Sequence, residues 1–122
     1  MLKFLLSLII LVTLAACQSS TQPTLNQQTE LPQPPAPGVI GTAIGQTLDE
    51  TDRAKAIAAQ QEAVATGLRK SWRGAHGVYG FIVPATEVNG CREYAHKIFI
   101  NGRPQEAKGQ AYLEKDAWRI IR

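Results

Sequence analysis

Two Asn-Gly pairs, Asn89-Gly90 and Asn101-Gly102, bracket the run Cys91-Arg92-Glu93-Tyr94-Ala95-His96-Lys97-Ile98-Phe99-Ile100. A type I′ turn needs φ > 0 at both central positions, and Asn-Gly is the strongest short-range hairpin signal for that reason. The run between them ends in aromatic and β-branched residues, which suit a pleated, half-buried surface. It reads as a strand that turns back sharply at both ends and pairs on both sides. A sheet is therefore organised around it, and most of the C-terminal half can be placed by counting outward.

That count gives a four-stranded antiparallel meander. The first strand covers 77–88, with a bend at Pro84, and the second is the bracketed run. The third covers 103–113, where Pro104 is tolerable only near a strand start or on an edge. The short turn Glu114-Lys115-Asp116 leads to a fourth at 117–121. Side chains alternate between faces along a strand. This puts Tyr94, His96, Ile98 and Ile100 on one face of the second strand. Ala107, Gly109, Ala111 and Leu113 share a face of the third, and Trp118 and Ile120 share one of the fourth.

Upstream, Thr47-Leu48-Asp49-Glu50 fits a capping box with Thr47 at the N-cap and Glu50 at N3. The helix it opens runs through Ala-rich sequence to about Thr66, and Gly67 is a natural stop. Its expected apolar stripe is Ala54, Ile57, Ala58, Val64, Ala65 and Leu68, interrupted by Gln61. The fold class is α+β, with one N-terminal helix against the meander. The helix or the 68–72 segment is expected to cover one sheet face. A domain this small is marginal, so Trp72, Trp118, Tyr79, Phe81 and Phe99 are expected to supply much of the core, with a binding platform as the other use of the tryptophans.

The N-terminal part is organised differently. Met1-Leu2-Lys3 is a positive start, the residues from Phe4 to Ala16 are apolar apart from Ser7 and Thr13, and Leu14-Ala15-Ala16-Cys17 closes the run. This is the layout of a secretory signal peptide, 1–16, and is too short to span a membrane, which takes about 20 apolar residues. Leu-Ala-Ala-Cys resembles the lipobox of bacterial lipoproteins. By that resemblance Cys17 carries an S-diacylglycerol, cleavage occurs before it, and its new amine is acylated. Gln18 and Ser19 lack the Asp that retains many lipoproteins in the inner membrane, which favours the outer one. The segment 17–37 is rich in Pro, Gln, Thr and Ser, with only Leu25 and Leu31 large and apolar, and reads as a disordered tether. The segment 38–46 is glycine-rich, with Gly41 and Gly45 at small-xxx-small spacing. It is short for membrane insertion and reads as flexible or peripheral. The folded domain is then expected over 47–122.

Little here points to catalysis. His76 and His96 are the only histidines. Cys91 and His96 fall on opposite faces of a regular strand, so they make neither a metal pair nor a nucleophile and base. No serine sits in a Gly-x-Ser-x-Gly context. No phosphate loop or dinucleotide fingerprint is present, and no cofactor or metal is implied. The net charge of +3 is mild and its cations are scattered, so nucleic acid is not implied. Arg92 and Glu93 point to opposite faces; cross-strand partners, solvation or a ligand contact are the readings open to them.

Several features coincide further. Trp72 precedes Gly77-Val78-Tyr79-Gly80, followed by Gly90-Cys91-Arg92-Glu93-Tyr94, Asn101-Gly102-Arg103, Ala107-Lys108-Gly109-Gln110-Ala111 and Asp116-Ala117-Trp118. With the lipobox and Leu48-Asp49-Glu50-Thr51-Asp52-Arg53, this order resembles the rickettsial 17-kilodalton surface antigen family of outer-membrane lipoproteins. The chain departs from that family in its shortened glycine zipper. It also has Tyr112 where the family often carries a second Cys, which leaves Cys91 as a buried free thiol or a site of intermolecular pairing. The resemblance implies a non-enzymatic, lipid-anchored surface antigen or envelope-structural protein, on a membrane face that the sequence leaves open. The alternative is a periplasm-facing binding module, such as a hydrolase inhibitor or envelope-assembly accessory, with Trp72, Arg92 and Trp118 as its contacts.

Overall fold

The computed structural model describes residues 34–122. The signal-peptide and lipidation assignments, Cys17 included, lie outside the described residues, as does most of the proline-rich segment. The described elements are helix α1 (Glu50–Thr66) and strands β1 (Lys70–Arg73), β2 (Tyr79–Pro84), β3 (Cys91–Ile100), β4 (Arg103–Glu114) and β5 (Ala117–Ile120). The strands form one antiparallel sheet in the order β1-β2-β3-β4-β5. The sheet is curled, and α1 packs against one face of it. The α+β expectation is met with one strand more than the meander predicted. The 68–72 segment does not cover the sheet: it extends it, because Lys70–Arg73 pairs with β2 as an edge strand.

The hairpins follow from the turn chemistry. Asn89 and Gly90 sit at φ 50 and 74, Asn101 and Gly102 at 52 and 76, positive at both central positions as a type I′ turn demands. They hold β3 between β2 and β4, with Tyr79 opposite Phe99 on one side and Cys91 opposite Tyr112 on the other.

The helix starts two residues later than the capping box suggested. Asp49 is the N-cap, and its side chain accepts the Asp52 N–H at 2.8 Å. Gly67, at φ 72, ends the helix and donates its N–H to the Ala63 carbonyl. The buried face is Asp52, Ala56, Ala59, Gln60, Ala63 and Val64, which shares only Val64 with the stripe read from apolar residues alone. Two of its members are polar, so hydrophobic periodicity set the helix's rotation wrongly. Both polar groups are satisfied. Ala75 donates its backbone N–H to the Asp52 carboxylate (3.0 and 3.2 Å to the two oxygens), pinning the β1–β2 loop to the first helical turn.

The glycine-rich segment is neither flexible nor peripheral. Val39, Ile40, Ile44 and Leu48 belong to the core, at 2–8% exposure. Gly38, Gly41 and Gly45 have φ of 58, 88 and 68, so they serve tight turns that only glycine enters without strain. The Gly41–Gly45 spacing thus belongs to a folded-back loop, closed by Gly41 donating to the Ile44 carbonyl at 2.7 Å and by Gly45 donating to Gln105 Oε1 at 2.8 Å. Full burial of one aliphatic side chain is worth roughly 1.5–3 kcal/mol. Three of them, Val39, Ile40 and Ile44, make this loop's contribution a large share of the whole margin of a typical domain, about 5–15 kcal/mol. The packed domain accordingly begins ahead of position 47, since Val39, Ile40 and Ile44 belong to its core.

Two cross-strand pairs explain glycines in the middle of strands. Trp72 lies opposite Gly80 and Tyr94 opposite Gly109. An ideal Cβ at Gly80 would stand 2.7 Å from Trp72 Nε1, and one at Gly109 would stand 2.3 Å from Tyr94 Cζ. Each aromatic ring lies flat over the backbone that its glycine leaves bare. Tyr94, buried to 1%, is the aromatic anchor of the core, and its hydroxyl donates to the backbone oxygen of Arg122 at 2.8 Å. Burial pushes its pKa up to about 12, with a backbone hydrogen bond from Val39 acting the other way. Of the five aromatics expected inside, Trp72 is buried and Trp118 is half-buried against the core. Tyr79, Phe81 and Phe99 have the opposite parity and lie on the other side of the sheet.

Candidate interaction face

A buried polar chain runs through the core. Trp72 Nε1 donates to His96 Nε2 at 2.9 Å, His96 Nδ1 meets Gln60 Oε1 at 2.9 Å, and Gln60 Nε2 donates to the Pro37 carbonyl at 3.0 Å. Its proton positions follow from its two ends. An indole N–H can only donate and a carbonyl can only accept. His96 Nε2 is therefore bare, Nδ1 carries the proton, and the Gln60 amide faces its oxygen to the histidine. The histidine is neutral, and burial lowers its pKa to about 4. With 0% exposure and both nitrogens engaged, it ties β1, β3, α1 and the 37–40 turn together and is not placed as a catalytic base. Cys91 lies on the opposite sheet face, as the alternation required. It is a half-buried free thiol, directly across from Tyr112.

The three residues singled out as partner contacts have different fates. Trp72 is 7% exposed, with its N–H committed to His96. Arg92 stacks its guanidinium on the Trp118 ring at 4.4 Å and donates to the Val64 carbonyl, one of the last four of α1. A cation there caps carbonyls that lack helical partners and meets the negative end of the helix dipole. Arg92 and Trp118 are thus brought together, and Trp72 is not. Arg92→Ala is expected to lower stability by about 1–2 kcal/mol, read as a lower urea midpoint. Lys at this position is expected to restore little of it, because a planar group is what stacks. A parent-like midpoint for the alanine variant would contradict this role.

A groove of about 550 Å³ opens beside Trp118, lined by Pro34, Pro35, Ala36, Gln61, Arg119 and Ile120. Its one charged group, Arg119, is paired with Glu114 at 3.0 Å, so it offers no acid and base to a reacting molecule. Among the described residues, no cluster of His, Cys, Asp and Glu is suited to hold a metal ion.

The prominent feature is the sheet face turned away from α1. Tyr79 and Phe99, direct cross-strand neighbours, stack with centroids 4.8 Å apart and planes 15° from parallel. Phe81 leans on Phe99 at 6.4 Å. Arg69 lies over the Phe81 ring at 4.2 Å, and Lys97 over Phe99 at 5.4 Å. Tyr79 is 44% exposed and Val83 46%. Sequence reasoning assigned these aromatics to the core. The signal that could have placed them outside is parity: Gly80, bare beneath Trp72, must face inward, so Tyr79 and Phe81 must face outward.

The geometry defines a small α+β domain whose polar interior is structural and whose outer sheet face is aromatic and cationic. The chain is similar in sequence to the rickettsial 17 kDa surface antigens. It is 32% identical over 88 residues to the 17 kDa surface antigen of Rickettsia bellii (strain RML369-C), a match covering 64% of this chain and 55% of that one. To that of Rickettsia conorii it is 33% identical over 84 residues, 61% and 53% of the two chains. To that of Rickettsia rhipicephali it is 37% identical over 78 residues, 57% and 51%. The chain spans about half the length of these curated relatives. No family model matches it, and no solved structure does.

Proposed function

We propose that this chain is a non-enzymatic, lipid-anchored surface antigen of the bacterial outer membrane, with the 34–122 domain held close to the bilayer through an acylated Cys17. The observation that carries the reading is the relationship to proteins named surface antigens. It is supported by the Leu14-Ala15-Ala16-Cys17 signal in the sequence. Among the described residues no helix is long and apolar enough to cross a membrane, so attachment in this reading falls to the acyl chains. Two or more such chains give stable anchoring. If an envelope protein is bound through the residues named from sequence, Trp118 at the mouth of its groove is the member of the three best placed to touch it.

Cys17→Ser is expected to abolish incorporation of labelled fatty acid and to leave the precursor uncleaved or the protein released from membranes. Labelling that survives the substitution would remove the lipobox from the argument. The exposed face is read by trypsin in intact and permeabilised cells. Lys70 and Arg73 sit in strand β1, so the better site is Lys115, in the exposed β4–β5 turn. Cleavage in intact cells supports the surface reading. Protection until permeabilisation replaces it with a periplasmic binding module.

A further inference from the structure

We propose that the outer sheet face formed by Tyr79, Phe81, Phe99, Arg69, Arg73 and Lys97 docks on an anionic phospholipid surface. The aromatic side chains supply apolar area; Arg69 lies over Phe81, Lys97 lies over Phe99, and Arg73 stands opposite Tyr79 in the register. Among the described residues the ion pairs are Lys70–Glu62 and Arg119–Glu114, and none involves Arg69, Arg73 or Lys97. Glu106 stands across from Lys97 in the register without closing an ion pair. Among the described residues the face therefore presents cations outside any ion pair, next to a partly exposed aromatic cluster. Phosphate oxygens above an acyl boundary supply both complements, and this pairing of aromatic rings with Arg and Lys is what the membrane–water interface favours.

Shape and charge decide against other occupants. The sheet is curled, and the pocket of about 180 Å³ on this face, beside Val83, Glu93, Ala95 and Lys108, is not lined by the aromatic and cationic residues named. A bilayer headgroup layer conforms to such a surface. A second copy would have to match these cations to Glu93 or Glu106 of the same face, a register that a layer of phosphate groups does not require. The inference rests on the lipid-anchored reading for its biological setting. From Cys17 to Pro34 the chain reaches at most about 60 Å when fully extended. Within that layer the effective lipid concentration is high, and a contact too weak to matter in free solution is populated.

The test uses the full chain with Cys17→Ser, so that no acyl chain contributes. It is sedimented with vesicles of phosphatidylcholine alone and with vesicles of equal parts phosphatidylglycerol and phosphatidylcholine. The apolar N-terminal run is common to every variant, so differences between variants read the face. The parent is expected to partition more strongly onto the anionic vesicles and to be displaced by high salt. Each removed cation is expected to cost about fivefold, and Arg69→Gln, Arg73→Gln and Lys97→Gln together about a hundredfold. Tyr79→Ser with Phe99→Ser is expected to weaken partitioning at unchanged charge. The near-UV circular dichroism of buried Trp72 verifies that each variant is folded. Folded variants that partition like the parent overturn the inference. So does retention of the parent by an immobilised acidic polypeptide without preference for anionic vesicles, which gives the face to a protein partner. Fatty-acid labelling of the unsubstituted chain tests the anchor separately, so the two failures are distinguishable.

Discussion

Gly109→Ala is expected to destabilise the domain by about 3 kcal/mol. A Cβ built at this position would stand 2.0 Å from the Arg122 backbone oxygen and 2.3 Å from both Cζ and Oη of Tyr94. Gly109 is not among the positive-φ residues, so the penalty is steric and alanine's backbone preferences are not the cause. The tyrosine cannot yield easily. It is 1% exposed, and its hydroxyl is committed to Arg122 at 2.8 Å. Overpacking a filled core costs about 1–3 kcal/mol, and displacing the phenol forfeits a hydrogen bond of about 1 kcal/mol. Gly102→Ala is the control. Nothing lies within 4 Å of its Cβ position, and only φ 76 opposes it, for an expected loss of about 1 kcal/mol. Urea unfolding of the two variants separates clash from backbone strain. A Tyr94→Leu background, which removes the ring and its hydroxyl, should make Gly109→Ala milder. Full additivity of those two substitutions, or a Gly109→Ala loss no larger than that of Gly102→Ala, would reject the account.

What the chain declares about itself follows from where the physics is local. The Asn-Gly turns depend on two residues' backbone preferences, and they located β3 to the residue. Gly67 ended α1 where its positive φ is used. What failed was information held in contacts between distant segments. Asp52 and Gln60 are buried because the Ala75 N–H and the His96–Pro37 pair await them, and neither partner is visible from the helix alone. Strand β1 is four residues with two charges, and only pairing with β2 makes it a strand. The 38–46 loop has a composition that suggests mobility, yet its glycines allow the turns that bring Val39, Ile40 and Ile44 inside. The aromatic outer face was missed for a related reason. Large aromatics were given to the core on size, whereas the glycines beneath Trp72 and Tyr94 were the better guide to which face is inward. Trp72, Arg92 and Trp118 were singled out as partner contacts; the structure joins Arg92 to Trp118 and to the end of α1, a packing role that their types and spacing do not reveal.

Stability is expected to fall as the pH is lowered from about 6.5 to about 4, because the neutral His96 is built into the fold. Burial holds its pKa near 4, against an ordinary value of 6.5. Between those values the unfolded chain binds a proton at this residue and the folded chain does not. Stability therefore rises with pH across that window. The contribution is fully present above about pH 6.5, is lost progressively on acidification, and loses nothing further below about pH 4, where both states are protonated. A difference of this size corresponds to about 3 kcal/mol. The geometry gives the same sign, since a proton on Nε2 would point at the indole N–H that now donates to it. Carboxylates also titrate near the lower end of the window, so the unfolding curve alone does not identify the group. NMR of the His96 imidazole carbon-bound protons does. His96 resonances are expected to hold their neutral shifts down to about pH 5. Urea unfolding over the same range is expected to show a falling midpoint. Trp72→Phe removes the donor facing Nε2 while keeping most of the burial, and should raise the His96 pKa and flatten the pH slope. If the His96 signals titrate near pH 6.5 in the folded protein, the histidine is not locked neutral, and the polar chain from Trp72 to Pro37 does not have the proton order its ends require.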